Sequence, residues 1–352
     1  MAPRIAIVGA GAVGGYAGAG LAAAGHDVTL IDPWPAHVEA IRAHGMELYG
    51  MTEAERRTVP VRAIHITELQ HIAREAPIDI AFIAVKSYDT EWAAAMILPY
   101  LSPAGVCISM QNCINEERLA GVVGWGRTLG CIVTGGIGVD LFQPGHIRRN
   151  YAKNPDITNF YIGEPHGRIT PRATAIAALL NDVDTAHATD NLWGERWTKL
   201  CVNGMRNGVS AATGMSGNDR DADTEVRRFC IQLGAESVRV GQALGFRLGP
   251  IGRLDPALLA AAGEGNADAL DEIEALMVAG TNSSSRAPTQ RPSMAQDMAK
   301  GRRTEIAFMN GFIAEKGREA GVPAPAHARL TRLVQAVELG KMPAARETLF
   351  AG

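Results

Sequence analysis

The sequence has little that would tie the protein to disulfides, nucleic acid or a charged membrane. Its 352 residues include only five cysteines, an odd number, and none forms a CxxC pair. This predicts reduced, mostly buried thiols in a reducing compartment rather than a disulfide framework. The net charge of −3 leaves no electrostatic footprint for nucleic acid or an anionic membrane surface.

Long apolar runs are missing as well. The opening residues, MAPRIAIVGAG, have glycines where a secretory signal needs an apolar core, and no stretch of about 18 apolar residues follows. We therefore expect a cytoplasmic protein without a membrane span. What is present, 47% hydrophobic and 20% charged residues, is typical of a folded protein, and the length suits two domains.

The first motif is a glycine-rich turn between a predicted strand, Arg4 to Val8, and an Ala/Gly-rich helix that ends near Gly25. In a G-x-G-x-x-G turn the backbone can approach a pyrophosphate, which then faces the N–H groups of the helix N-terminus. A glycine turn without a ligand is the weaker alternative in this context. The predicted cofactor-binding residues of the turn are Gly9, Ala10, Gly11, Ala12, Val13 and Gly14.

A carboxylate follows the glycine turn at the sequence spacing that is typical of a dinucleotide-binding strand–helix–strand unit. Asp32 ends the second predicted strand, HDVTLID, 18 residues beyond Gly14. It can accept hydrogen bonds from the adenosine ribose hydroxyls and would repel a 2′-phosphate, so NAD is favoured over NADP. Arg42, Arg56 or Arg57 could reverse this preference by folding back, and Asp32 could also serve as a helix N-cap.

Two further strands end in polar residues. The apolar run Ile78–Val85 leads to Lys86, and the strand Val106–Met110 leads to Gln111 and Asn112. Open α/β sheets bind ligands beyond the carboxyl ends of their strands. We therefore expect Lys86 and Asn112 to lie at the same edge as the glycine turn, rather than to be ordinary loop residues.

The order of elements predicts an α/β fold with two domains. One or two short strands are expected from Met46 to Thr67, and Gly138–Pro165 indicates a β-hairpin. Beyond Asp190 long helices dominate. The prediction is an N-terminal Rossmann dinucleotide-binding domain, residues 1–188, followed by a mostly α-helical substrate and catalytic domain, residues 189–352.

The second domain opens with a segment, Arg196 to Gly214, whose pattern predicts one helix. Lys199, Asn203 and Asn207 are spaced at i, i+4 and i+8, which places them on one face. A solvated surface face is the alternative interpretation. The narrow polar wedge of roughly 100° and the asparagines, which are poor helix formers, favour a functional face.

Later segments offer fewer candidates. Arg303–Ala320 is predicted to be a helix carrying Glu305, which would be a cap or rim residue unless it meets Lys199. The polar stretch Thr281–Pro292 is predicted to be a mobile loop. No metal site and no internal repeat is predicted.

These segments together resemble the ketopantoate reductase family, two-domain enzymes that reduce 2-dehydropantoate. The resemblance extends over nearly the whole chain. It rests on the motifs GAGAVGG, AVKSYDT, MQNCINEERL, RWTKLCVNGMRNGVSAATG and PSMAQDMAKGRRTEIAFMNG. The last two are much more specific than the glycine turn, and all stand in the order and spacing of the family.

The resemblance implies roles for the polar residues of the second domain. Lys199 matches the family's catalytic lysine, which donates a proton to the ketone oxygen. Asn203 and Asn207 match asparagines that bind substrate, and Ser293 matches a serine that binds the substrate carboxylate. Glu305 matches a catalytic glutamate near the lysine and the nicotinamide.

In the first domain, the resemblance implies that Asn112 touches both cofactor and substrate and that Lys86 is a cofactor-binding lysine. Three departures stand out. Pro33 replaces a basic residue that is usual after the second strand, which agrees with NAD. Cys113 stands where glycine is usual, and the stretch from Arg253 to Arg291 is long, so the substrate can differ from ketopantoate.

The sequence thus predicts hydride transfer between a nicotinamide cofactor and a 2-oxo or 2-hydroxy acid. 2-Dehydropantoate or a related branched or aromatic acid is the expected substrate, and a homodimer through the C-terminal helices is expected. Two alternatives remain open. An opine- or imine-forming dehydrogenase would need a proton-relay histidine, for which only His327 follows Asp190. A non-catalytic NAD(H)-binding protein is the other.

Overall fold

The computed structural model describes residues 2–280 and 292–351. Its contacts divide the chain into two compact units, Met1–Leu192 and Trp193–Gly352. The first unit contains the strands and the second is helical. The N-terminal α/β architecture and the helical C-terminal domain that the sequence predicts are confirmed.

The strands of the described residues all lie in the first unit. In chain order they are β1 (Arg4–Val8), β2 (Asp27–Asp32), β3 (Met46–Tyr49), β4 (Arg57–Val59), β5 (Arg62–His65), β6 (Ile78–Ile83), β7 (Leu101–Ser109), β8 (Thr128–Val133), β9 (Val139–Gln143), β10 (His146–Arg149), β11 (Phe160–Gly163) and β12 (Ala186–Thr189). The segment from Met46 to Thr67 therefore holds three strands, where the sequence predicted one or two.

Eight of these strands form the larger sheet, in the order β12-β11-β8-β7-β6-β1-β2-β5. Neighbours run parallel except β8 and β11. Val8 pairs with both Ile31 and Ile83, and Ile83 pairs with Ser109. The carboxyl ends of β2, β1, β6 and β7 are therefore level, and the loops that follow them meet at one edge.

The remaining strands form a smaller sheet, β4-β3-β10-β9, whose central pair β3 and β10 is parallel. The hairpin of β9 and β10 turns at Pro144-Gly145, as the sequence predicts. Ile147 and Met46 of this sheet lie close against Gly15 of the first helix. A side chain at Gly15 would hold the helix away from the sheet.

Helices complete both units. In the first unit they are α1 (Ala12–Ala23), α2 (Pro35–His44), α3 (Thr90–Ile97), α4 (Glu116–Val123) and α5 (Pro171–Leu180). The second unit holds α6 (Leu192–Gly204), α7 (Asn207–Thr213), α8 (Gly217–Ala222), α9 (Thr224–Ala243), α10 (Pro256–Gly263), α11 (Ala267–Ala279), α12 (Ser293–Ala299), α13 (Phe312–Glu319) and α14 (Pro325–Glu338). None of the helices within 2–280 and 292–351 has the length and apolar character needed to cross a bilayer.

The prediction of one helix from Arg196 to Gly214 is wrong. Helix α6 ends at Gly204 and α7 begins at Asn207. The Arg206 N–H turns back to the Asn203 carbonyl at 3.1 Å, an i−3 bond that tightens the end of α6. The break therefore falls between Asn203 and Asn207, which the sequence placed on one continuous face.

The prediction for Arg303–Ala320 also needs correction, because regular α-helix is confined to α13. A π-helical turn, Ala307–Gly311, precedes α13, and Glu305 lies before that turn. The Glu305 carbonyl accepts from the N–H groups of Phe308 and Met309 at 3.0 Å each. Thr304 donates through its N–H and its hydroxyl to the Glu338 carboxylate, at 2.8 and 3.1 Å, which holds the chain out of the helix. The predicted loop Thr281–Pro292 lies outside the described residues apart from Pro292.

A buried polar network joins three parts of the first unit. Arg149, at the end of β10, forms an ion pair with Asp184 and donates to the Tyr16 hydroxyl of α1 at 2.8 Å. Asn159 donates to the other oxygen of Asp184 at 2.9 Å. Burial, with the adjacent carboxylate, raises the pKa of Tyr16 to about 12 in spite of the nearby arginine. The network ties α1 to both sheets.

All five cysteines are buried, free thiols, as the sequence predicts. Burial raises the pKa of Cys107 and of Cys230 to about 12, and raises that of Cys201 as well. Thiols this far from ionisation are poor nucleophiles, so these three are structural.

Candidate active site

The glycine turn has the shape that a dinucleotide requires. Gly9 has a φ of +94°, and a Cβ there would lie 2.9 Å from the backbone of Ala84 and Val85. No atom of the described part of the chain lies within 4 Å of the Cβ position of Gly11. The middle glycine thus leaves open space at the N-terminus of α1, where a pyrophosphate can approach the backbone. The residues present fit a nicotinamide dinucleotide.

Asp32 is built into this turn. One carboxylate oxygen accepts from the Ala10 N–H at 2.8 Å and the other from the Trp34 N–H at 2.9 Å. The residue is 9% exposed. Each carboxylate oxygen has two lone pairs, so Asp32 can still accept hydrogen bonds from ribose hydroxyls. Trp34 rather than Asp32 is the N-cap residue of α2.

His37 supports the same turn from the other side, and sequence reasoning missed it. Its Nδ1 accepts from the Gly145 N–H at 2.9 Å, so Nε2 carries the proton and donates to the Ala10 carbonyl at 2.9 Å. The ring is fully buried and stacks on Trp34, with centroids 5.6 Å apart. The partner at Gly145 is 108 residues away, so no local pattern could have revealed this contact.

The loops that carry Lys86 and Asn112 are bound to each other. Asn115 donates to the Asn112 carbonyl at 2.9 Å and to the Ser87 hydroxyl at 3.2 Å. Gln111 donates to the carbonyl of Val85, the residue before Lys86, at 2.9 Å. The structure therefore brings the two loops together at the edge that follows β6 and β7. Gln111 and Asn115 are the residues that join them, and the sequence analysis assigned neither a role.

Cys113 has an unusual backbone conformation. Its φ is +66°, and it is the one non-glycine residue with positive φ in the part of the chain described. The side chain is buried. The left-handed region costs an ordinary L-residue roughly 1–2 kcal/mol, a cost that glycine avoids. The loop beside Asn112 therefore has the geometry of a glycine at this position but holds a cysteine.

We expect Cys113→Gly to be more stable than Cys113→Ala by about 1 kcal/mol, because only alanine retains the left-handed strain. Both variants lose the same thiol, so alanine is the matched control. The free energies of unfolding in urea, measured under reducing conditions, provide the comparison. At most positions inside helices and strands, an alanine variant is more stable than a glycine variant. If Cys113→Ala were also more stable than Cys113→Gly, the positive φ of residue 113 would be contradicted.

In the second unit, α6 carries Lys199 and Asn203, and Asn207 opens α7. Both asparagines are 8% exposed, and Lys199 is partly buried. Burial lowers the pKa of Lys199 to about 8, and the nearby charge of Arg206 acts in the same direction. A lysine with this pKa can hold or release a proton near neutral pH, as a general acid must.

The other predicted residues of this unit are found on neighbouring elements. Ser293 is the first residue of α12, which packs against α7. Glu305 is 5% exposed and precedes the π-helical turn. On the opposite side of α6, the Trp197 indole donates to the Ser237 carbonyl of α9 at 2.8 Å. This bond ties α6 to α9 two residues before Lys199.

His327 is not available as a proton relay. It is fully buried, and its ring nitrogens contact Asn310, Leu233 and Ser237 at 2.8–2.9 Å. Burial lowers its pKa to about 4, so the ring is neutral. Among residues 2–280 and 292–351, no group of three or more His, Cys, Asp or Glu side chains could hold a metal ion.

The glycine turn at the edge of a parallel sheet and the lysine of lowered pKa in the helical unit are the features of an oxidoreductase that uses a nicotinamide dinucleotide. The family described as "Ketopantoate reductase PanE/ApbA" matches residues 5–164, and its C-terminal counterpart matches residues 191–338. The chain belongs to the ketopantoate reductase family.

Relatives match over almost their whole length. The 2-dehydropantoate 2-reductase of Archaeoglobus fulgidus is 29% identical over 341 residues, which cover 96% of this chain and 98% of the relative. A crystal structure of a PanE/ApbA family ketopantoate reductase from Ralstonia eutropha matches with a TM-score of 0.76 at 28% identity, covering 96% and 99% of the two chains. D-Mandelate dehydrogenase, solved with NADH and anilino(oxo)acetate, has the same fold, with a TM-score of 0.77 at 23% identity and coverage of 96% and 98%.

Proposed function

We propose that the protein transfers a hydride between NAD(H) and C2 of a 2-oxo or 2-hydroxy acid, with Lys199 as the proton donor. The acid is 2-dehydropantoate or a related branched or aromatic compound. The observation that carries the proposal is the position of Lys199, which lies on α6 one helical turn before the buried Asn203 and whose pKa is lowered to about 8. The family relationship and the NADH of the D-mandelate dehydrogenase structure support it.

When bound, NADH supplies the hydride chemistry. Lys199 stabilises the negative charge that builds on the ketone oxygen and gives it a proton, which leaves the amine neutral until solvent restores the proton. Asn203 and Asn207 orient the oxygens of the substrate without adding charge. Ser293 binds the substrate carboxylate. Glu305 is the catalytic glutamate that the family resemblance places near Lys199 and the nicotinamide.

The first unit holds the cofactor. The glycine turn binds the pyrophosphate, Asp32 the ribose, and Lys86 and Asn112 complete the cofactor site. NAD is preferred over NADP because the Asp32 carboxylate would repel a 2′-phosphate. Two of the arginines that could have bound a 2′-phosphate, and so reversed this preference, form other hydrogen bonds. Arg42 donates to the Ala63 carbonyl at 2.8 Å and pairs with Glu68, and Arg56 donates to Glu47 at 3.0 Å.

An opine- or imine-forming dehydrogenase is disfavoured. That reaction needs a histidine at the substrate, and His327, the one histidine after Asp190, is fully buried within α14.

A screen of NADH and NADPH oxidation over 2-oxo acids tests the proposal. We expect turnover with 2-dehydropantoate, a branched 2-oxo acid or phenylglyoxylate, and a kcat/KM for NADH at least roughly tenfold above that for NADPH, which corresponds to about 1.4 kcal/mol. Imine formation from a 2-oxo acid and an amine is the matched control reaction. NADH binding without oxidation by any acid would identify a non-catalytic protein, and a preference for NADPH would refute the assignment of Asp32.

A further inference from the structure

The break between α6 and α7 is held by a side chain from elsewhere in the second unit. Asn310, in the π-helical turn Ala307–Gly311, donates to the Gly204 carbonyl at 2.8 Å. Gly204 is the last residue of α6 and directly follows Asn203. The end of the helix that carries Lys199 is therefore bound to a residue 106 positions away in the chain.

Asn310 also lies against the start of α7. A Cβ on Gly208, the residue after Asn207, would lie 3.3 Å from the Asn310 Oδ1 atom. A Cβ on Gly204 would lie 2.9 Å from Ile313 and 3.3 Å from His327. Each candidate substrate asparagine is thus followed by a glycine, and the absence of a side chain at both positions lets the Asn310 amide approach the break.

His327 orients this amide. Its Nδ1 accepts from the Asn310 Nδ2 atom at 2.9 Å, and its Nε2 donates to the Leu233 carbonyl at 2.8 Å. Both hydrogens of the Asn310 amide are therefore used, one on Gly204 and one on His327. This second bond prevents the amide from rotating away from the Gly204 carbonyl.

The two hydrogen bonds of the Asn310 amide are made at a cost to stability on its other side. Asn310 is fully buried, and within residues 2–280 and 292–351 its Oδ1 atom has no hydrogen-bond partner. A buried polar atom without a partner destabilises a fold. A π-helical turn, which is often found at functional sites, carries the residue.

We propose that Asn310 is a positioning residue, which holds the α6–α7 break through the Gly204 carbonyl and thereby sets the directions of Asn203 and Asn207. The consequence for the substrate rests on the proposed function. In a continuous helix the two asparagines would stack at i and i+4. With the break held, each lies on its own helix, so together they can bind a substrate from two directions.

Asn310→Leu tests this, because leucine has nearly the same size and donates no hydrogen bond. We expect KM for the 2-oxo acid to rise roughly tenfold, as for the loss of one well-placed hydrogen bond, with KM for NADH within about twofold of wild type. Amide hydrogen exchange of Met205–Gly208 should become faster by a similar factor. Asn310→Ser, which is too short to reach Gly204, gives the same comparison if the leucine variant does not fold.

Ser237→Ala is the matched control. Its hydroxyl lies 2.8 Å from the His327 Nε2 atom in the same buried network and donates to the Leu233 carbonyl rather than to Gly204. The proposal would be overturned if Asn310→Leu had the same exchange rates and KM values as Ser237→Ala. It would also be overturned if exchange in Asn310→Leu became faster while its KM for the acid stayed unchanged. Exchange needs no substrate. If wild-type protein proved inactive on every 2-oxo acid, the proposed function would fail while exchange would still decide whether Asn310 holds the break.

Discussion

Lys199→Ala is expected to lower kcat for the true 2-oxo acid about 10²–10⁴-fold, the usual contribution of a positioned general acid. The variant should bind NADH normally, because Lys199 is not among the residues proposed to bind the cofactor. Steady-state kinetics and NADH fluorescence titration measure the two effects separately. Lys341→Ala, which removes an exposed lysine beyond α14, is the matched control and should retain wild-type kinetics.

The pH profile gives an independent readout of the same residue. Since burial lowers the pKa of Lys199 to about 8, the ammonium form prevails below that pH and is lost above it. Reduction should therefore slow as the pH rises through 8, the opposite of the behaviour of a general base. Turnover of Lys199→Ala near the wild-type rate, or a wild-type rate that is flat through pH 8, would contradict the role of Lys199.

Arg149→Met is expected to lower the free energy of unfolding by about 3–5 kcal/mol, the range for breaking one side of a buried ion pair. Arg149 is 4% exposed and Asp184 is 7% exposed, so the variant leaves a buried carboxylate without its cation. The Tyr16 hydroxyl also loses its donor. Urea unfolding, followed by circular dichroism, measures the change through the transition midpoint.

Two further variants show whether burial of charge is the cause. Arg149→Met combined with Asp184→Asn removes the unpaired charge and should recover at least half of the loss. Arg62→Met breaks an exposed ion pair with Glu75 and should cost no more than about 1 kcal/mol. A double variant as unstable as Arg149→Met would show that packing, rather than charge, accounts for the effect.

Local sequence patterns were sufficient for much of this fold. The glycine turn, the strands that lead to Asp32 and Lys86, and helix α5 from Pro171 to Leu180 each depend on residues adjacent in the chain. Apolar runs, glycines and an N-terminal proline carry that information directly. The order of these elements then determined the fold class.

The sequence-based predictions failed where a distant residue overrides the local pattern. The polar face from Lys199 to Asn207 has helical spacing throughout, yet the Gly204 carbonyl binds Asn310 across 106 residues. Glu305 lies outside a helix because Thr304 binds Glu338, 34 residues away. Periodicity describes one segment at a time, so it cannot report which segment will satisfy a carbonyl at a helix end.

In the proposed function, Asp32 links the choice of cofactor to the construction of the glycine turn. Its carboxylate accepts the Ala10 N–H at 2.8 Å, so replacing it to admit a 2′-phosphate would also leave that N–H without its acceptor. An exchange of NAD for NADP would therefore require two coordinated substitutions, one to receive the phosphate and one to restore the turn. Evolution by single steps would have to pass through a protein with a weakened cofactor site. The proposed preference for NAD is thus protected by the hydrogen bonds that surround Asp32.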